Sequence, residues 1–414
     1  MHLARDVQSV VITGTNGKTT SARMLEQFMI DSNRSYFANK SGSNLMQGIT
    51  AEYALNSTLT GKAKKKYAII ECDEAASKKV FEYINPSVAL VTNIFSDQLG
   101  VIGDIMATLE NVKIGLMNSP NATICINADD SLSSSIPLEL RNNIVYYGIN
   151  SGVLEDSQDN STDATHCLKC GEEYKYEHRT YGHLGGFYCP WCGYSRAKPD
   201  VAVTELYFQN ANEQNVKIDT KDAVCGLTIN LPGSYNIYNA AGVIAAALSL
   251  GFTLNDAILA LGRFEGGFGR MEKFMLEGKE VRMILVKNTV GFNQVLSYLG
   301  SLEGDALLAI CLNNQVADGT DISWLADVAF SKILDMADRV KGVYVSGACA
   351  DDVSRCLEKA GLSMDSIRKF PDQGEMLTAA LHQDAPVYII PSYTAMMELR
   401  SDLSRRYGIK EYWE

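Results

Sequence analysis

The sequence predicts an α/β protein in two parts: a parallel-rich sheet over residues 1–272, interrupted by an inserted module at 160–200, and a second α/β domain over 273–414. Three observations lead there. Short apolar or β-branched runs at Val10–Thr13, Tyr67–Glu71 and Val88–Thr92 are each followed by turn residues and a helical pattern, which implies parallel strands joined by crossover helices. Two C-x-x-C pairs, Cys167-Leu-Lys-Cys170 and Cys189-Pro-Trp-Cys192, stand eighteen residues apart inside the first part. From about Lys273 the alternation resumes, with strands expected at Val281–Val286, Ala306–Cys311, Gly342–Val345 and Val387–Ile390. A chain of 414 residues suits two or three domains rather than one core.

The first strand, Val10-Val11-Ile12, runs into Thr13-Gly14-Thr15-Asn16-Gly17-Lys18-Thr19-Thr20 and then a helix-like stretch from Ser21 to Ile30. A loop of this kind cradles phosphates: glycines let backbone N–H groups turn inward, a lysine adds a point charge, and a hydroxyl reaches Mg²⁺. Gly14, Thr15, Asn16, Gly17, Lys18, Thr19 and Thr20 are therefore the candidate ATP-binding residues. The usual spacing would put its first glycine at position 12; Ile12 stands there, and the extra glycine is Gly14.

Ligands collect at the carboxyl ends of parallel strands. Past the second strand lies Glu71-Cys72-Asp73-Glu74, and past the third lies Thr92-Asn93-Ile94-Phe95-Ser96-Asp97-Gln98. Hard oxygen ligands beside a phosphate loop are what Mg²⁺ on ATP requires, so Thr19 and Glu71 are the candidate Mg²⁺ ligands, with Glu71 also a candidate for the chemistry. Asp73 and Asp97 stay open between metal ligand and plain helix-start acid.

The insert reads as a zinc ribbon. Thiolates two residues apart approach a tetrahedral Zn²⁺ from one tight turn, and two such turns, each ending on glycine (Gly171 and Gly193), close the site. Cys167, Cys170, Cys189 and Cys192 are thus candidate ligands of a structural Zn²⁺. The polar, Gly- and Tyr-rich segment between the pairs has little core of its own. Cys72, Cys125, Cys225, Cys311, Cys349 and Cys356 lie in apolar or helix-like stretches and read as packing. A net charge of −12 argues against a nucleic-acid partner. The one basic run, Lys62 to Lys66, reads as a solvated loop. No signal peptide or apolar run of eighteen residues is seen, so a cytoplasmic protein is expected.

After the insert, Leu231-Pro-Gly-Ser-Tyr-Asn236-Ile-Tyr-Asn239 opens an alanine-rich helix, and Gly269-Arg270-Met271-Glu272 follows. With the TGTNGKTT loop and IIECDE, this combination resembles the central and C-terminal domains of the Mur ligases and folylpolyglutamate synthetases over most of the chain. The resemblance implies that a carboxylate is activated as an acyl phosphate and attacked by an amine. It also implies nucleotide contacts for Asn236, Asn239 and Arg270. The phosphate loop begins near residue 13, so no preceding domain for a uridine nucleotide is expected. Where many Mur ligases carry a metal-binding histidine, this chain has Asp97-Gln98.

Lys40-Ser41-Gly42-Ser43-Asn44, Asp97-Gln98-Leu99 and Asp318-Gly319-Thr320-Asp321-Ile322-Ser323-Trp324, with the four-cysteine insert, resemble the MurT family, the ligase subunits of lipid II isoglutaminyl synthase. That family likeness implies ATP-dependent amidation of the D-glutamate α-carboxyl of lipid II to D-isoglutamine. Ammonia would come from a GatD-like glutamine amidotransferase partner, and the complex would act at the inner face of the membrane. It further implies that an aspartate of the second domain reaches the partner's glutaminase site. Asp318, Asp321 and Asp327 are the candidates, Asp321 being preferred; the competing reading is an N-cap or Asx-turn before a helix expected around Trp324–Met336. No cysteine stands in a nucleophile context with His2, His166, His178, His183 or His382, so this chain alone is not expected to hydrolyse glutamine. An amino-acid-adding ligase and a noncatalytic scaffold are the alternatives.

Overall fold

A computed structural model describes residues 6–39, 42–96, 102–154, 163–210, 212–267, 269 and 271–409. Two compact units divide the chain, Met1–Phe264 and Glu265–Glu414.

The first unit is organised by its buried strands. β1 (Gln8–Thr13), β2 (Tyr36–Ala38), β3 (Tyr67–Glu71), β4 (Val88–Val91), β5 (Thr123–Asn127) and β6 (Ile144–Ile149) are parallel neighbours. The hairpin β7 (Lys175–Tyr181) and β8 (Leu184–Tyr188) forms a separate two-stranded sheet, and β9 (Val201–Gln209), β10 (Gln214–Thr220) and β11 (Val224–Ile229) extend the main one. The order is β11-β10-β9-β6-β5-β4-β1-β3-β2. β1 lies between β3 and β4, with Val11 opposite Ile70 on one side and Ala89 on the other. Strand order therefore switches at β1, and the carboxyl end of a switch-point strand is where an open α/β sheet forms its ligand crevice.

Helices α1 (Lys18–Asp31), α2 (Met46–Leu55), α3 (Glu74–Tyr83) and α4 (Ile102–Met117) connect the parallel strands. α5 (Ser234–Ser249) lies against β4, β5, β6 and β9, and α6 (Leu254–Leu261) follows it. The alanines of α5 suit close approach: at Gly242 a Cβ would come 3.0 Å from the Tyr147 ring and 3.1 Å from Leu90. Among the described residues the insert has a small apolar cluster of its own, Cys167, Tyr174, Phe187 and Cys189, against which Tyr176 and Tyr194 pack.

In the second unit the order is β12-β13-β17-β14-β15-β16, from β12 (Glu272–Leu276), β13 (Lys279–Met283), β14 (Ala306–Cys311), β15 (Val340–Ser346), β16 (Ile367–Lys369) and β17 (Val387–Pro391). All pairs are parallel except the β12–β13 hairpin. α7 (Thr289–Ser301), α8 (Ala350–Lys359), α9 (Gln373–Leu381) and α10 (Tyr393–Tyr407) connect and close it. β13 stops at Met283, short of the expected Val286, although the Ile284 and Val286 amides still donate to Ile389 and Pro391 carbonyls at 2.8 and 3.0 Å.

The helix expected around Trp324–Met336 is not continuous. Two 3₁₀ turns, Ser323–Asp327 and Phe330–Met336, take its place. Side chains of α7 claim the backbone groups a helix needs: Asn293 Oδ1 accepts the Ala329 amide at 2.8 Å, and Thr289 Oγ1 donates to the Trp324 carbonyl at 2.9 Å. Trp324, Leu325, Val328, Phe330, Ile333 and Met336 are all buried, and this apolar spacing is better met by two short turns. Among the described residues, no helix is long and apolar enough to cross a membrane.

Candidate nucleotide and metal sites

The phosphate loop joins β1 to α1 and is tied down by backbone bonds to the segment after β4. Thr15 N donates to Asn93 O at 2.8 Å and Asn16 N to Asn93 Oδ1 at 2.9 Å, while Asn93 Nδ2 donates back to Asn16 O at 3.1 Å. Thr15 Oγ1 accepts the Phe95 amide at 3.0 Å. Gly14 and Gly17 have φ of 122° and 88°, which only glycine adopts without strain. A Cβ at Gly17 would collide with Asn239 Oδ1, so the loop closes against α5.

α1 starts at this point with no side-chain cap and no acid in its first turn. Its leading N–H groups and its dipole suit a phosphate. Lys18 is buried, and its Nζ lies 2.8 Å from Glu74 Oε1, 2.6 Å from Gly14 O and 3.3 Å from Thr15 O. Thr19 Oγ1 is 3.0 Å from both carboxylate oxygens of Glu71. This hydroxyl–carboxylate pair at the foot of a phosphate loop is the hard-oxygen set that Mg²⁺ prefers. Thr20 is buried in the same turn. Asn39, on the neighbouring strand end, fixes Glu71: it accepts the Glu71 amide and donates to the Glu71 carbonyl, both at 2.8 Å.

α5 supplies the other wall. Asn236 and Asn239 are buried; Asn236 Nδ2 donates to Pro232 O at 2.7 Å, and Asn239 Nδ2 donates to Asn236 Oδ1 at 3.2 Å. Asp73 caps α3 by accepting the Ala75 amide at 3.0 Å, which gives it a structural task. Arg270, Lys40, Ser41 and the Asp97-Gln98-Leu99 run lie outside the described residues.

The four cysteines converge. Their sulfurs all lie within 4.8 Å of one another, with Cys167 to Cys192 at 3.6 Å and Cys170 to Cys189 at 3.4 Å. A tetrahedral Zn²⁺ with bonds of about 2.3 Å spaces its sulfurs by about 3.8 Å. Each knuckle ends on a left-handed glycine, Gly171 at 79° and Gly193 at 74°. Burial opposes ionisation of Cys167, yet hydrogen bonds at the backbone of Lys169 and Cys170 and at Tyr174 and Cys192 outweigh it and bring the thiol down to about 7. For Cys170 a backbone hydrogen bond at Glu172 favours the thiolate, but desolvation and the thiols of Cys189, Cys192 and Cys167 push it up to about 12. One thiolate is favoured and the next opposed, so a cation at the centre would favour the fully ionised set. Burial pushes the thiol of Cys125 up to about 12, and those of Cys72 and Cys311 higher still, so these three are inert.

In the second unit, Asp318 is held by Thr394, its carboxylate accepting the Thr394 amide at 2.7 Å and hydroxyl at 2.6 Å. Asp321 is exposed and accepts the Ser323 amide at 2.8 Å, an Asx-turn that holds its carboxyl below the usual range. Asp327 is exposed at the end of the first 3₁₀ turn.

Sequence reasoning did not single out Asn39, the Lys18–Glu74 pair, or Asp129 and Asp130 after β5. Both aspartates are fully buried. The signal available was position: Asn127-Ala-Asp129-Asp130 stands at the carboxyl end of a parallel strand, as the other two polar motifs do.

Comparison with known proteins bears on both units. The Mur ligase middle domain family matches residues 12–188, and the MurT ligase C-terminal family matches 285–396. The MurT subunit of lipid II isoglutaminyl synthase (glutamine-hydrolyzing) from Streptococcus pneumoniae is 31% identical over 99% of this chain and 90% of its own length. Its Staphylococcus aureus counterpart is 30% identical over 98% and 89%. Among solved structures, a pseudomurein peptide ligase type C from Methanothermus fervidus superposes with a TM-score of 0.70 at 22% identity, covering 96% of this chain and 79% of its own. The Mycobacterium tuberculosis folylpolyglutamate synthase does so with 0.62 at 12% identity, covering 95% and 90%. These last two report the fold.

Proposed function

The chain belongs to the MurT family, and from that premise we propose that it is the ATP-dependent ligase subunit of a lipid II isoglutaminyl synthase. In this reading it converts the D-glutamate α-carboxyl of the lipid II stem peptide to the amide of D-isoglutamine. One observation carries most weight: an uncapped helix start, a buried Lys18 and the Thr19–Glu71 pair converge on one loop at the switch point of the sheet.

The first-turn N–H groups of α1 and Lys18 bind the phosphates, Thr19 and Glu71 would hold Mg²⁺, and Asn236 and Asn239 border the nucleotide. Bound Mg²⁺ supplies charge neutralisation on the phosphates. A carboxylate oxygen of the substrate attacks the γ-phosphorus as the bond to ADP breaks. Ammonia then attacks the acyl carbon, phosphate leaves with the C–O electron pair, and a proton is lost from nitrogen. Lys18 stabilises the negative charge that builds on the transferring group, and closure of the loop against α5 keeps water from the acyl phosphate. The Cys167, Cys170, Cys189 and Cys192 site holds a structural Zn²⁺.

Ammonia comes from a glutamine amidotransferase partner of the GatD kind, a reading supported by the words "glutamine-hydrolyzing" and "subunit" in the relatives' names. Asp318 is committed to Thr394, whereas Asp321 is exposed, which favours Asp321 as the residue that serves the partner's site. The complex works at the inner face of the membrane, where a lipid-linked stem peptide is presented.

The test is incubation of the purified chain with lipid II, Mg²⁺-ATP and ammonium chloride, with mass detection of the stem peptide and assay of released phosphate. An amide in place of one carboxyl, with phosphate release, is expected. No amide, but addition of a free amino acid, moves the chain to the amino-acid-adding ligases.

A further inference from the structure

The β7–β8 hairpin of the four-cysteine module turns at Tyr181, Gly182 and His183, away from the sulfur cluster and against the segment after β4. His183 Nε2 donates to Asp130 Oδ1 at 2.9 Å, with side chains only 2% and 0% exposed. Asp130 has two further donors: the Ile94 amide at 2.8 Å on Oδ2 and the Leu132 amide at 2.9 Å on Oδ1. The ring of Phe95 is stacked 5.9 Å from Tyr181 and lies 4.5 Å from His183. Gly182, at φ 55°, leaves no space there, since a Cβ would come 2.7 Å from the Phe95 ring. Phe95 and Asn93 are the residues whose backbone and side-chain groups bind Thr15 and Asn16 of the phosphate loop.

A second contact leads to the opposite wall. Thr180 Oγ1 is 2.8 Å from the Tyr238 hydroxyl, which donates to the buried Asp129 Oδ2 at 2.6 Å. Tyr238 precedes Asn239, the residue against which Gly17 closes. The insert therefore meets both borders of the phosphate loop through buried polar groups rather than through apolar packing alone. Such groups fix geometry more strictly than apolar contact, because a buried carboxylate that loses a donor drives its surroundings to rearrange.

We propose that the four-cysteine module is a positioning element of the nucleotide site, in which His183, through Asp130, holds the 92–96 segment in the register that shapes the phosphate loop. This rests on the nucleotide reading above. His183 is a positioning residue and touches neither nucleotide nor substrate.

The test compares wild type, His183→Ala and His183→Gln for Mg²⁺-ADP affinity by calorimetry, with metal content and melting temperature measured on each. His183→Ala should keep its metal and bind Mg²⁺-ADP at least about fivefold more weakly, the lower end of typical site-to-site coupling. His183→Gln, whose amide can still donate to Asp130, should recover most of the affinity. In turnover, KM for ATP should rise with kcat little changed, a split that general loss of folded protein does not produce. Unchanged affinity in a metal-loaded His183→Ala overturns the inference and leaves the nucleotide site standing, whereas wild type that binds no nucleotide overturns both. Should His183→Ala not fold, His183→Phe, which keeps a ring against Phe95 but offers Asp130 no donor, decides in its place: weakened binding supports the proposal and unchanged binding overturns it.

Discussion

Replacing Lys18 by methionine should damage stability and chemistry together, and the two effects can be separated by a second substitution. Lys18 and Glu74 form an ion pair at 2.8 Å with side chains 7% and 9% exposed. Taking away one partner of such a pair leaves a buried uncompensated charge, at a cost of about 3–5 kcal/mol. At roughly 2–4 °C per kcal/mol for a unit of this size, the melting transition should fall on the order of 10 °C. In the double variant Lys18→Met/Glu74→Gln the stranded charge is gone, and most of that loss should return. The transferring phosphoryl group still lacks its cation, so amidation should stay depressed by about 10²–10³ or more, the scale found when one preorganised electrostatic contact is removed. Calorimetric melting and ammonium-dependent amidation of lipid II, measured on the wild type and on both variants, give the answer. A double variant with wild-type turnover would refute the phosphate role of Lys18, and a single variant with unchanged melting would refute the pairing argument.

Thr19→Val removes the hydroxyl beside Glu71 and should raise the Mg²⁺ concentration for half-maximal turnover by roughly 10–100-fold, read from a metal titration. Gly17→Ala forces a residue with a Cβ to φ 88° and drives that Cβ into Asn239; Mg²⁺-ADP binding by calorimetry should be largely lost while the four-cysteine metal remains bound. Zinc uptake by the metal-free chain should release protons and tighten as pH rises. The sign follows from Cys170, pushed up to about 12 and hence protonated before binding but a thiolate after it. Equal zinc affinity at pH 6 and 8 would contradict it. Replacing Cys167 and Cys170 by serine should abolish zinc binding, measured by elemental analysis, and lower the melting temperature.

Features set by local chemistry were legible in the sequence. β1, the phosphate loop and α1 follow from an apolar run, two obligatory glycines and a helix start within a few residues, and β3 ends at Glu71 as its composition implies. The convergence of the four cysteines was legible because C-x-x-C spacing is itself a geometric statement. What escaped were partners chosen by the fold: Glu74 for Lys18 across 56 residues, Asn39 for Glu71 across 32, and His183 for Asp130 across 53. The misread helix near Trp324 has the same origin. Local propensity allowed one helix, but Asn293 and Thr289, more than thirty residues away, took its backbone partners.

Those long-range partners share a feature that bears on how the site works. Asn39, Asn93 and Asp130 each bind backbone groups of a neighbouring strand end: Asn39 at Glu71, Asn93 at Asn16 and Asp130 at Ile94. They therefore fix where the loops run, while Lys18 pairs with Glu74 and Thr19 with Glu71 at the foot of the phosphate loop. Catalysis by charge stabilisation depends on groups already in place when charge develops, since reorganising them would consume the gain. A loop that must present several backbone donors within a few tenths of an ångström gains that order from its neighbours' amides and carboxylates. On this argument substitution at Asn93 should raise KM for ATP more than it lowers Mg²⁺ affinity, whereas substitution at Asn39, which fixes Glu71, should do the reverse.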